Sequence, residues 1–506
     1  MCTWVHPMGF QRVNRSLFIF ALIFGLVISL FPTLPVQAAT LKVTNINNSG
    51  AGSLRQALTS ARSGDTITFD PALSGKTIVL ASTLIIQKRV TIAGLGAENL
   101  AISGNNKYRL FLIDAMANVT ITGLTLTNAY TRNQRGSAIY TTGKLILDHV
   151  ILQNSVMDGL SFGGAGIYNN GTLIITSSTI QNNTDRTYSF GGGGIYNEKT
   201  LTVEDSLITG NQVHNNPIIG VYGGGGICNI GTATITRTTI SNNVAVNYSS
   251  GGGGGIYNSG HLTLSQSQIT GNQAPQTTGA GLLNWNTGTV SIDQSTFIDN
   301  SAGKDGGAIE NTGTMTITNT TLAFNHAASP EYGGGGIDNT EGNLTITNST
   351  IASNDAVMYG GGILNYDGTV SLIFSTLSGN SAPTGGGIYA MGDSAVTTTN
   401  LNNAIVAVNA GGDCVNSSGI VNTTTSMVGD GSCNATWAGD PLLGSLQNNG
   451  GMTDTLLPAM ESPVIDQAAC NEQLTDQRGL PRPFDYPEIP NPENGSGCDL
   501  GAVEVQ

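Results

Sequence analysis

The stretch Gly166-Ile167-Tyr168-Asn169-Asn170-Gly171-Thr172-Leu173-Ile174-Ile175-Thr176, running on through Thr179-Ile180-Gln181-Asn182, decides the fold because it comes back. Its Ile-Tyr-Asn phrase returns as Ile195-Tyr196-Asn197, Ile227-Cys228-Asn229 and Ile256-Tyr257-Asn258. It continues in degraded form as Leu282-Leu283-Asn284, Ile309-Glu310-Asn311, Ile337-Asp338-Asn339 and Ile363-Leu364-Asn365. Successive asparagines lie 26 to 32 residues apart, a period characteristic of solenoids. Each phrase leads into an alternating segment such as Met315-Thr316-Ile317-Thr318. A further short segment then ends in asparagine, as in Thr296-Phe297-Ile298-Asp299-Asn300. Alternation with Thr, Ile and Val marks strands with one buried face. No helical pattern separates them, so βαβ units are excluded. Three short strands per repeat, stacked about 4.8 Å from the next repeat, predict a parallel β-helix.

That architecture gives the recurrent residues a physical role. An asparagine at the same bend of every coil can hydrogen-bond the asparagines above and below, which satisfies polar groups turned into the core. The glycine runs, such as Gly191 to Gly194 and Gly251 to Gly255, are expected to supply positive φ where a variable loop re-enters a strand. They are not phosphate loops, since none carries a following Lys-Ser/Thr or opens a helix. The nonapeptide calcium roll has the wrong motif and period, and collagen would need glycine at every third residue. At the amino end, Ser53 is a plausible N-cap for Leu54 to Ala61, with Leu54, Ala57, Leu58 and Ala61 on one face. Such an amphipathic cap would cover the exposed core and strand edges at the tip of an open solenoid.

Arg12 and Arg15 precede an apolar run from Leu17 to Phe31, then Pro32, Pro35 and Val36-Gln37-Ala38. This is the order of a secretory signal peptide over residues 1–38, and the run is too short for a membrane span. No later segment is apolar enough to span. Charged residues make up only 10% of the chain, with 69 glycines and a net charge of −14. An acidic, lysine-poor surface argues against nucleic acid or anionic membrane as a partner. Export to the cell exterior is the expected destination, as a monomer.

Several motifs resemble bacterial β-helix proteins of the choice-of-anchor Q type. They are Gly52-Ser53-Leu54-Arg55-Gln56-Ala57 with Gly64-Asp65-Thr66-Ile67, the Ile-Tyr-Asn coils, and the tail Asp440-Pro441-Leu442-Leu443-Gly444. The tail match continues through Leu446 to Gly451, Ser462-Pro463-Val464-Ile465-Asp466, Thr475-Asp476-Gln477-Arg478-Gly479 and Asp499-Leu500-Gly501-Ala502. The coils are also similar to repeats of polymorphic outer-membrane adhesins. The resemblance implies an all-β, right-handed parallel β-helix of the pectate-lyase-like kind over residues 39–444. It also implies a C-terminal cap over 445–506 and a place outside the cell or on its surface. In that group a cell-attachment signal commonly follows the tail; none follows here, which puts covalent anchoring in doubt.

Cys414 and Cys433, then Cys470 and Cys498, form two neighbouring pairs expected to lie outside the regular coils. In an oxidising compartment they are expected as two local disulfides bracing the cap. A metal site is the alternative, but the spacing is not C-x-x-C and the tail contains no histidine. Cys228 is left over, in the column occupied elsewhere by tyrosine.

A lyase of the pectate type needs a cluster of acids holding calcium, with an Arg or Lys base beside it. The basic residues Arg186, Lys199, Arg237 and Lys304, and the histidines His149, His214, His261 and His326, fall in different repeats. One constellation stands out. Alternation puts the middle residue of each phrase on the face opposite its Ile and Asn, so the column Tyr168, Tyr196, Cys228, Tyr257, Leu283, Glu310, Asp338, Leu364 is expected on the outside. Glu310 and Asp338 would then stack on adjacent coils about 5 Å apart, near the carboxylate separation of a retaining glycosidase. They are either two solvated acids or a catalytic or cation-sharing pair. Tyr168, Tyr196 and Tyr257 are either a packed ladder or a sugar-stacking strip. The leading expectation is a non-catalytic adhesion or surface-binding protein that needs no cofactor or metal. Its partner class would be an extracellular polysaccharide or a cell-surface component. The alternative is an extracellular glycosidase or lyase on the same fold.

Overall fold

The structure, a computed structural model, describes residues 38–160, 163–188, 190–214, 223–246, 251–393 and 397–506. The expected leader lies outside the described residues except for Ala38. From Thr40–Val43 onward the chain winds as an all-parallel solenoid. Each full coil visits four sheets in order, for example Thr172–Thr176, Thr179–Gln181, Thr184–Thr187 and, past a glycine run, Ile195–Asn197. Among the described residues these first to fourth sheets contain 15, 14, 9 and 13 strands. The expectation of three strands per coil therefore missed the nine-stranded sheet. Its members, such as Val244–Val246 and Ser301–Ala302, are short and carry little alternation.

Register never slips. Ile167, Ile195, Ile227, Ile256, Leu282, Ile309, Ile337, Ile363 and Ile388 are partners in one column and are buried in a continuous core. The asparagine after each middle residue turns inward too. Asn169 donates through Nδ2 to Asn197 Oδ1 at 2.7 Å, and the chain of donors continues through Asn229, Asn258, Asn284, Asn311 and Asn339 to Asn365. A second ladder runs from Asn183 through Asn211, Asn243, Asn272, Asn300, Asn325, Asn354 and Asn380 to Asn409 at 2.8–3.0 Å. Here the expected position was one residue early in the first case. Asn182 turns the chain at φ +55°, and Asn183 joins the ladder. A third ladder was not foreseen: the hydroxyls of Ser178, Ser206, Thr238, Ser267, Ser295, Thr320, Ser349 and Ser375 accept from backbone N–H groups one coil earlier. Each neutral bond stabilises by about 1 kcal/mol net, whereas an unmade one in this dry core costs about 1–3 kcal/mol.

The amino-terminal helix spans Leu54–Ser60. The Ser53 hydroxyl accepts from Gln56 N, and Leu54, Ala57 and Leu58 are buried in the solenoid core. At the other end the last parallel strand is Met427–Val428. The two disulfides join Cys414 to Cys433 and Cys470 to Cys498. Cys414 belongs to a regular strand of the fourth sheet, Cys414–Asn416, so that pair closes the final coil. Among the described residues no helix is long and apolar enough to cross a membrane.

Candidate functional site

The column that alternation placed on the outside is buried. Tyr168, Tyr196, Cys228, Tyr257 and Leu283 are at most 1% exposed, Glu310 is 9% exposed and Asp338 3%. These side chains do point away from the solenoid core, but the glycine run of each coil lies across them. A Cβ on Gly253 would meet Ile256 O at 1.7 Å, and one on Gly164 would sit 3.1 Å from Tyr168 Cα. The run is thus a roof that only a residue without a side chain can form. Positive φ, the expected reason for these glycines, holds at the third residue before the phrase in several coils, as at Gly306 (φ +64°) and Gly334 (φ +74°). Gly192, Gly224 and Gly253, in the same position, are not among the positive-φ glycines. There the runs pair with one another as a small parallel sheet of their own, and close approach is what requires glycine.

Under the roof the tyrosines pack as a ladder. Tyr168 and Tyr196 stack at 4.9 Å with planes 15° apart, and Tyr140 tilts onto Tyr168 at 5.5 Å. The guanidinium of Arg135 lies 5.1 Å from the Tyr168 ring centre, and the Tyr168 hydroxyl donates to Glu198 Oε1 at 2.5 Å. The faces of Tyr168 are taken by its neighbours and by Arg135, and Tyr257 is 1% exposed. The reading of Tyr168, Tyr196 and Tyr257 as an open sugar-stacking strip is therefore corrected: buried rings offer a pyranose no face.

Glu310 and Asp338 are partners in register, as expected, but they are not solvated. Burial pushes the Glu310 carboxyl up to about 8; Asp305 adds to the rise and Lys304 opposes it. Burial and then the neighbouring Glu310 hold Asp338 well above the usual carboxylate range. Burial raises Asp305 as well. The Thr340 hydroxyl donates to Asp338 Oδ1 at 2.8 Å, while Glu310 Oε2 and Asp305 Oδ1 accept no hydrogen bond from the described residues. Burial disfavours ionisation of all three carboxyls and leaves Glu310 and Asp338 with little exposed surface. Asp305 and Lys304 were missed as members of this group, because the loop carrying them is brought over Glu310 only by the glycine fold-back. Among the described residues no group of three or more His, Cys, Asp or Glu side chains is placed to hold a metal ion.

Of the basic residues, Lys304 joins the Glu310 group, while Arg237 and the histidines lie apart from it. Arg237 pairs with Glu204 and Asp205, His149 with Asp148 at 2.8 Å, and His326 with Asp355 at 2.6 Å, all at exposed sites. His214 bonds Gln212, and His261 bonds Thr289 on the next coil.

The tail motifs have a different use. Rather than closing the solenoid's end, the tail lies along the outer side of the second sheet. Thr321, Thr350 and Thr376 hold the same register position on consecutive coils. Gln477 Nε2 donates to Thr321 Oγ1 at 2.9 Å, the Thr350 hydroxyl donates to Gln477 Oε1 at 2.7 Å, and Ala502 N donates to Thr376 Oγ1 at 3.0 Å. Within the tail, buried Arg482 bonds the carbonyls of Asp499 and Gly501, pairs with Glu504 at 3.1 Å and lies 4.5 Å from the Phe374 ring centre. The expected cap is therefore a lateral strap.

The right handed beta helix region family matches residues 93–297, and the Chlamydia polymorphic membrane protein repeat matches residues 294–312. Among solved structures the chain is similar to pectate lyase Pel9A, at 12% identity and a TM-score of 0.37, over 93% of this chain and 98% of that one. The search of curated proteins finds no match. Coil order, register and family match agree: the chain carries a right-handed parallel β-helix.

Proposed function

We propose that this chain is an exported, non-catalytic β-helix that works at the cell exterior or surface by presenting a binding face, in the manner of an adhesin. The observation that carries the reading is the state of Glu310 and Asp338. The stacked pair sits beneath a backbone roof, and burial disfavours ionisation of both carboxyls, which supports a pair that meets no substrate. Two disulfides, the leader-like amino end and the match to a polymorphic membrane protein repeat support export. The resemblance of the tail to choice-of-anchor Q proteins supports a surface setting, with the strap docked on the solenoid rather than free.

The test is turnover. Purified full-length protein is incubated with soluble polygalacturonate, xylan, β-glucan and mannan while reducing ends and unsaturated products are followed. No turnover above a heat-denatured control is expected, together with retention of the protein on bacterial or host-cell surface material. Turnover of any of these polymers would overturn the reading.

A further inference from the structure

Where the strap meets the last coils there is a cleft of about 650 Å³, within the usual range for small-ligand sites. One wall is the corner between the first and second sheets, with Asn402 at the end of strand Thr398–Asn402 and Trp437 beside it. The other wall is the strap, with Gln467, Asn471, Glu493 and Asn494. The Asn403 side chain donates to Ala469 O at 3.1 Å and ties the walls together at the base. The Cys470–Cys498 bridge braces the strap wall, and the Cys414–Cys433 bridge holds the segment that leads to Trp437. A cleft held from both sides is preorganised, which lowers the entropy cost of binding.

We propose that this cleft binds a short segment of a neutral polysaccharide, an inference that rests on the surface-binding reading above and gives it a ligand class and a site. Trp437 is half-buried, packed in part against the apolar cluster around Phe374 and Met427, and its remaining surface lines the cleft. An indole anchored in this way can offer its face to the C–H side of a pyranose ring. The side-chain amides of Asn402, Asn471 and Asn494 line the cleft and make no hydrogen bond to the described residues. Each both donates and accepts, as vicinal sugar hydroxyls do, so the pairing is complementary in both directions. Glu493 is the one ionisable group among the lining residues. A single carboxylate with no cation opposite disfavours uronic acids, nucleotides and acidic peptides.

The test uses the full-length protein and the hexasaccharides of cellulose, xylan, β-1,3-glucan and mannan as neutral probes, with hexagalacturonate as the anionic one. Binding is read by calorimetry and tryptophan fluorescence. At least one neutral hexasaccharide is expected to bind in preference to hexagalacturonate. Trp437→Ala should weaken that binding about tenfold or more. Because Trp437 also packs, Asn471→Gly and Asn494→Gly serve as exposed-site variants, since both residues sit at positive φ (+51° and +69°) that glycine keeps without strain; each is expected to weaken binding by about three- to tenfold with an unchanged melting temperature. No binding of any neutral probe, preference for hexagalacturonate, or binding that survives all three substitutions would overturn the proposal. Cell-surface retention that persists in these variants leaves the surface-binding reading standing while the cleft falls. Polysaccharide turnover brings down the non-catalytic reading whatever the cleft does.

Discussion

Replacing Glu310 by glutamine keeps the shape of the side chain and removes its ability to ionise. Below about pH 4 the glutamate is neutral in the folded and the unfolded chain alike, and the two proteins should differ little. Between its ordinary value of 4.5 and the folded value of about 8, the unfolded chain loses the proton while the buried group keeps it. The folded state then binds more protons than the unfolded one, so stability falls as pH rises, and the fall is complete above pH 8. The span between the two values corresponds to roughly 5 kcal/mol, an upper figure since Asp338 titrates with its partner. Asp338 steepens the same decline in the parent. In Glu310→Gln the repulsion from Glu310 is gone, while burial and then the charge of Asp305 still raise Asp338. The assay is guanidinium unfolding of both proteins at pH 4, 6 and 9, with hydrogen exchange of residues 303–340 to localise the change, because long solenoids need not unfold as one unit. The variant should match the parent at pH 4 and exceed it by several kcal/mol at pH 9. Two parallel profiles, separated by less than about 1 kcal/mol throughout, would mean that water reaches the pair and the glycine roof does not exclude it.

Three further outcomes follow from other parts of the coil. Asn258→Ala removes both the acceptor of Asn229 and the donor to Asn284, and should cost about 2–4 kcal/mol in guanidinium unfolding; a loss under about half a kcal/mol would show that the ladder is dispensable. Gly253→Ala would put a Cβ 1.7 Å from Ile256 O, so its coil should lose amide protection by hydrogen exchange. Gly444→Ala, whose Cβ would lie 3.3 Å from Leu457 O and outside that coil, should leave the exchange of the Gly253 coil unchanged, and equal protection of that coil in the two variants would refute the roof. Serine at both Cys470 and Cys498 opens a loop spanning 28 residues and should destabilise the strap by about 3–4 kcal/mol, read as early proteolysis between residues 445 and 506 while the coils stay resistant.

The sequence by itself determined the solenoid and its asparagine ladder, though not the nine-stranded sheet or the ladder of hydroxyls. The asparagine spacing, the alternation and the absence of helical pattern decided a parallel solenoid, because a period-two strand has only two faces and a buried polar residue must find a partner in the next coil. The helix cap at Ser53 and the pairing of four cysteines were equally legible, since both depend on neighbours in the chain. The column of Tyr168, Glu310 and Asp338 was found, and so was its register. Its environment was not. Alternation says which side of a sheet a side chain leaves from, but not what lies over that side. The cover is the chain itself, folded back at van der Waals contact along glycines that have no Cβ to keep it away. Tertiary structure alone decided that Glu310 and Asp338 are dry and that Lys304 and Asp305 join them. It also decided that Gln477 seats between Thr321 and Thr350, more than 120 residues away in sequence. Those contacts join segments that share no period, so no repeat in the sequence records them.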